Sequence, residues 1–383
     1  MTGTGVLVLA LAMIWACGSS SSDSPVTDAG VTVPVDAGTT IDAGGTDAST
    51  TTPVARLSVQ GKDILGPDGK PIVLRGWNWG QWGTEQPQDA ADNAAQGATI
   101  VRVPLRWWGD YPDGDDAYKD TDPGHIETGH LATLDKMIDD LAAAHVWVDL
   151  FFDSNCGQAS VVHDTVVPCG TGTDGKPANF GNDPTMKAKL VEAWSFLANH
   201  YAGHAYIGMY EILAEPGFTC SGHAGCTDWT ATPTFYASVL PTIRAQDPRT
   251  PVIVGPGGAY ELKQIATALL AGEPNVIYTG DILSNGTVDS DVLAPALAFR
   301  DGANVPVFIQ QVGIKKAAAD AGAGAQQTLA ALNAAGIGWT WWTYREPSAA
   351  TNSGFAPYYK AKADTTWSVD QPWLDMIDGY FTR

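Results

Sequence analysis

A recurrence narrows the folds open to this chain more than any other feature. Short apolar runs rich in β-branched residues return at Ile72–Gly76, Thr99–Val103, Val146–Leu150, Ile207–Leu213, Val252–Gly255, Val276–Thr279, Val305–Ile309 and Gly338–Trp342. Ala-rich stretches with apolar residues near helical spacing lie between them, as at Leu131–Ala144, Thr185–His200 and Ala323–Ala334. A strand that is apolar throughout is buried on both faces, and strands joined through helices run parallel. Eight such units predict an α/β fold, a closed (β/α)8 TIM barrel, in preference to an open sheet. No Gly-x-Gly-x-x-Gly follows the first run, and Gly255-Pro256-Gly257-Gly258 lacks the Lys-Ser/Thr of a phosphate loop. Ahead of the first run, the segment from Leu57 to Lys70 predicts a small N-terminal hairpin turning at Pro67-Asp68-Gly69.

The chain divides into three parts. Val6 to Trp15 is apolar but too short to span a bilayer, and it ends in Ile14-Trp15-Ala16-Cys17 before Gly18. That ending resembles the lipobox of a bacterial lipoprotein signal. Residues 1–17 are therefore expected to be an export signal with Cys17 lipidated, ordinary cleavage nearby being the alternative. Membrane contact is expected only through such an anchor. Residues 18–55 are rich in Ser, Thr, Asp, Gly and Pro with no Trp, Phe, Tyr or Leu, so little offsets the entropy of ordering. They predict a disordered linker, and residues 56–383 the barrel of a cell-surface, outer-membrane or secreted monomer.

Charge and cysteine content exclude some classes. With 21 Lys+Arg against 42 Asp+Glu the net charge is −21, which leaves no basic face for nucleic acid. Beyond Cys17, Cys156 and Cys169 bracket one Gly-rich loop and Cys220 and Cys226 another. Two local disulfides are the expectation for an exported chain, in preference to metal binding, which needs more His or Cys beside them. The seven His form no ligand cluster, and neither a metal nor a cofactor is expected.

Chemistry in a TIM barrel sits where the strands end on their C-terminal side. Here those ends carry Trp77-Asn78-Trp79, Arg102, Phe151-Phe152-Asp153, Ala214-Glu215-Pro216, Asp281, Gln311 and Trp341-Trp342. Indole faces bind sugar rings by apolar contact, and Trp79, Trp107 and Trp342 are expected to line a cleft, whereas Trp77, Trp147 and Trp339 suit packing. Arg102 is expected to hold a sugar hydroxyl or Glu215, the alternative being a buried ion pair.

The ordered set "PIVLRGWNWGQW", "GATIVRVPLRW", "VWVDLFFDSNCGQ", "YIGMYEILAEPG", "NVIYTGDIL", "PVFIQQVG" and "GWTWWTY" resembles glycoside hydrolase family 5, the retaining endo-β-glycanases. The resemblance implies that Glu215 stands at the acid/base position and Gln311 at the nucleophile position. It also implies that Phe151, Ala214, Asp281 and Leu283 replace the family's supporting His, Asn, His and Tyr. Retaining cleavage uses two carboxylates about 5–5.5 Å apart, and an amide is a poor nucleophile with no negative charge for an oxocarbenium ion. The expectation is thus a barrel that binds a β-linked polysaccharide or oligosaccharide, its retaining hydrolysis lost. The alternative is an active endo-β-glycanase pairing Glu215 with a rewired carboxylate, foremost Asp281, which should lie beside Gln311; Asp153 and Glu346 are further candidates.

Overall fold

The barrel is entered through a hairpin. In the computed structural model, β1 (Ser58–Gln60) and β2 (Asp63–Leu65) pair antiparallel across Val59 and Ile64. Their turn is Gly61-Lys62, with Gly61 at φ +57°, the left-handed first position that a two-residue hairpin loop gives to glycine. This corrects the expected turn. Pro67-Asp68-Gly69 makes the next one, in which the Gly69 amide donates to the Gly66 carbonyl and Pro71 returns beside Leu65.

The structure describes residues 56–80, 86–106, 128–153, 161–162, 165–166, 184–214, 232–255, 269–270, 272–284, 293–346, 354–361 and 364–382. All belong to one compact unit, Thr52–Arg383. After the hairpin come β3 (Arg75–Asn78), α1 (Asp89–Ala95), β4 (Ile100–Arg106), α2 (Thr128–Ala143) and β5 (Trp147–Asp153). A small antiparallel pair, β6 (Val161–Val162) and β7 (Thr165–Val166), precedes α3 (Pro184–Tyr201), β8 (Ile207–Ala214), α4 (Thr232–Gln246) and β9 (Val252–Val254). The chain continues through β10 (Val276–Tyr278), β11 (Asp281–Ser284), α5 (Ala294–Ala303), β12 (Phe308–Ile314), α6 (Ala321–Ala334) and β13 (Gly338–Trp342). It ends in a three-stranded sheet of β14 (Arg345–Glu346), β15 (Tyr358–Tyr359) and β16 (Ser368–Val369), followed by α7 (Gln371–Asp378).

Nine strands form one parallel sheet in the order β10-β9-β8-β5-β4-β3-β13-β12-β11. Its two edges are consecutive in the chain. β10 and β11 are the halves of one stave, broken at Thr279-Gly280; a parallel bridge from Tyr278 to Val307 and the pairing of β11 with β12 join both halves to the same neighbour. The result is the predicted eight-stave (β/α)8 barrel.

Two cores hold it. Outward strand residues such as Val101, Val148 and Ile212 pack on helix residues such as Ile138, Leu141 and Leu197, all fully buried. Each such side chain contributes about 1.5–3 kcal/mol relative to exposure. Inside the barrel, Leu74, Ile100, Trp147, Met209, Ile253, Ile277 and Phe308 fill the N-terminal end, and Leu57 and Ile64 of the hairpin close it from below. Trp147 thus packs as expected, as do the fully buried Trp77 and Trp339. Among the described residues no helix is long and apolar enough to cross a membrane.

Candidate active site

Side chains alternate along a strand, so the residues two positions beyond the apolar plug face the same interior. On β4, β5 and β8 they are charged. Ile100 leads to Arg102, Trp147 to Asp149, and Met209 to Glu211, and none of the three charged residues is more than 1% exposed. Arg102 donates from Nε to Glu211 Oε2 at 2.6 Å and from Nη2 to Oε1 at 2.8 Å. Its guanidinium carbon lies 3.3 Å from the centroid of the Phe151 ring, and its Nε is 3.8 Å from Asp149 Oδ2. The ion pair anticipated as the alternative for Arg102 is present, but its partner is Glu211.

The electrostatics follow from enclosure. Burial works against the Arg102 cation, yet Glu211, Asp149 and Asp281 together hold its pKa above the ordinary arginine value. Asp149 goes the other way. Burial, reinforced by the Glu211 charge, pushes its carboxyl well above the usual carboxylate range, and Arg102 only opposes this. Among the described residues neither Asp149 oxygen accepts a hydrogen bond, nor does Arg102 Nη1 donate one.

On the opposite wall the register places Asp281 of β11 directly against Gln311 of β12, and Leu283 against Gly313. Neighbouring parallel strands run about 4.8 Å apart, so the two polar side chains share one face. Both are enclosed, at 4% and 5% exposure. Gln311 therefore lies within its strand, not beyond its end, because β12 continues past the last apolar residue of the run. Ala214 and Phe151 are buried on β8 and β5; Leu283 and Trp342 are half-buried.

One expected sugar contact is placed elsewhere. Trp79 is 4% exposed in the outer core, and its indole N–H donates to Asn93 Oδ1 at 2.9 Å. Its neighbour Asn78 faces the interior instead, so strand alternation puts Trp79 outward beside Trp77, where a cleft position had been expected for it. Glu215, Trp107, Cys17, Cys156, Cys169, Cys220 and Cys226 lie outside the described residues. Asp149 and Glu211 were missed from the sequence, although each is a charge interrupting an apolar strand, and burial makes such a residue pair or neutralise. Among the described residues no three His, Cys, Asp or Glu side chains are grouped to hold a metal ion.

The family model described as Cellulase (glycosyl hydrolase family 5) matches residues 65–348. The chain belongs to glycosyl hydrolase family 5. Solved structures agree on the fold. A Thermobifida fusca endoglucanase Cel5A catalytic domain in complex with cellotetraose superposes at TM-score 0.58 with 17% identity, covering 85% of this chain and 97% of that one. The β-glucanase SdGluc5_26A from Saccharophagus degradans, also with cellotetraose, gives 0.59 and 17%, covering 85% and 94%. An endogalactoceramidase gives 0.60 and 17%, covering 86% and 84%. No curated protein matches in sequence. The buried arginine pair and the Asp281–Gln311 pair are thus features of a family 5 barrel interior.

Proposed function

We propose that this family 5 barrel captures a β-linked polysaccharide and has lost retaining hydrolysis. One observation carries the reading: the side chain at position 311 is an amide, held inside β12 against Asp281. An amide neither attacks an anomeric carbon efficiently nor stabilises the positive charge that develops there. The buried carboxylate of Glu211 does not take its place, because both its oxygens accept from the Arg102 guanidinium. Family 5 neighbours solved with cellotetraose make cello-oligosaccharides the first ligands to try. Residues 1–17 would export the protein and residues 18–55 tether the barrel at the surface, with Cys17 as the lipid anchor and Cys156–Cys169 and Cys220–Cys226 as disulfides.

The purified protein, presented with β-glucan, mannan and xylan, should retain one of them without releasing reducing ends. Release by the wild type that disappears in Glu215→Gln would overturn the proposal. A second reading draws on the register of β11 and β12. Asp281, paired with Gln311 across the two strands, takes its place as the second carboxylate, with Glu215 as acid. An inverting reaction needs about 6.5–9.5 Å between the two carboxyl groups, with water between. Under that reading Asp281→Asn abolishes release; activity surviving the change excludes it.

A further inference from the structure

The segment after β14 is fastened to an unusual degree around one aromatic residue. The Glu346 carboxylate accepts the backbone N–H of Phe355 at 2.9 Å and that of Ala356 at 3.4 Å. The Phe355 carbonyl accepts two indole N–H groups, from Trp341 at 3.1 Å and Trp373 at 3.0 Å. Lys316 holds both flanks, its amide donating to the Gly354 carbonyl at 2.9 Å and its Nζ to the Ala356 carbonyl at 2.5 Å. Packing alone does not require so many directed bonds. A half-buried phenylalanine is ordinarily held by its own ring, and here the backbone on either side is fixed as well.

What the fastening positions is a ring edge against β12. A Cβ added at Gly313 would lie 3.0 Å from Phe355 Cδ1, 3.0 Å from Leu283 Cδ2 and 2.8 Å from the Trp342 carbonyl. Gly313 is two residues beyond Gln311 on the same strand face, and Leu283 is two beyond Asp281. Phe355, Leu283 and Trp342 are all half-buried, and Lys315 Nζ stands over one face of the Phe355 ring, 5.5 Å from its centroid. The glycine leaves the gap that the phenylalanine occupies.

We propose that Phe355 is a ligand-contact residue: its ring, with Leu283 and Trp342, forms an apolar wall beside Gln311 for the C–H face of a neutral pyranose. The proposal rests on the glycan-binding reading above. Aromatic contacts of this kind contribute about 0.5–1.5 kcal/mol, or about a two- to tenfold change in affinity.

Calorimetric titration of the full chain with cellotetraose and with mannan- and xylan-derived tetrasaccharides tests it. Phe355→Leu, which keeps apolar volume but removes the aromatic face, should weaken binding about two- to tenfold, and Phe355→Tyr should keep the wild-type affinity. Equal affinity for wild type and Phe355→Leu overturns the wall. A wild type that binds no glycan overturns the underlying reading and the wall with it. Should Phe355→Leu fail to fold, wild type labelled with 4-fluorophenylalanine provides the second measurement. The fluorine resonance lost in Phe355→Tyr should shift when the bound sugar is added, and a resonance that does not move refutes the contact.

Discussion

Arg102 and Glu211 hold one another through two side-by-side hydrogen bonds, 2.6 and 2.8 Å long, in the enclosed middle of the barrel. The pair joins β4 to β8 across β5, whose Phe151 lies against the guanidinium. Its bidentate form fixes orientation as well as distance, which a lysine in the same place would not do.

Removing one member of this pair should be costly. Glu211→Ala deprives the buried cation of its hydrogen-bonded partner, and about 3–5 kcal/mol of folding stability should be lost, measured by urea denaturation. An Arg102→Met/Glu211→Leu double variant should recover most of that loss. A Glu211→Ala protein as stable as wild type would show that water or another group takes over the charge.

Asp149 predicts a pH dependence of a particular sign. Its folded pKa is raised above the unfolded value, so the proton favours the folded state. The associated stability is fully present below the ordinary aspartate range and is lost as pH rises through the elevated folded value. Asp149→Asn, neutral at every pH, should therefore flatten the alkaline limb of a plot of urea midpoint against pH. Identical limbs for the two proteins would contradict the assignment.

A carboxylate introduced at position 311 lies directly beside Asp281. Two enclosed like charges on paired residues cannot both ionise without cost. Gln311→Glu should fold about as stably as wild type at pH 4.5 and fall behind by about 1–3 kcal/mol at pH 8. Combining it with Asp281→Asn should remove the difference. Denaturation at the two pH values distinguishes this from a simple packing defect, which would lower stability at both.

The hairpin should contribute to the barrel's stability as its lower lid. Leu57 is 1% exposed among the interior plug residues, and Leu57→Ala should cost about 2–5 kcal/mol through lost burial and the cavity left behind. Thermal and urea unfolding of this variant would check it. A loss under about 1 kcal/mol would mean that the plug closes without the hairpin.

The eight apolar runs were legible because burial on both faces leaves a continuous local imprint, and each became a stave of the barrel. The adjacency of Asp281 and Gln311 was legible too, since both follow the apolar runs of consecutive staves. Trp79 was not. In a Trp-Asn-Trp triplet only the parity of the strand says which side chains face inward, and composition is the same either way. The partner of Arg102 was hidden for a related reason: it sits four residues before the Glu that the family pattern draws attention to, inside a run that otherwise reads as plain core.

From the linear chain alone follow the number of staves, their parallel order and the amide at position 311, all properties of residue identity and spacing. Which charge meets which charge depends on register. β8 slips against β5 between Val148 and Asp149, and β13 slips against β12 between Ile309 and Val312. Because strand side chains alternate every second residue, one extra residue in a strand turns its successors to the other face. The Arg102–Glu211 pair, the placing of Asp149 beside it without a hydrogen bond and the seat of Phe355 on Gly313 exist only once those slips are set in three dimensions.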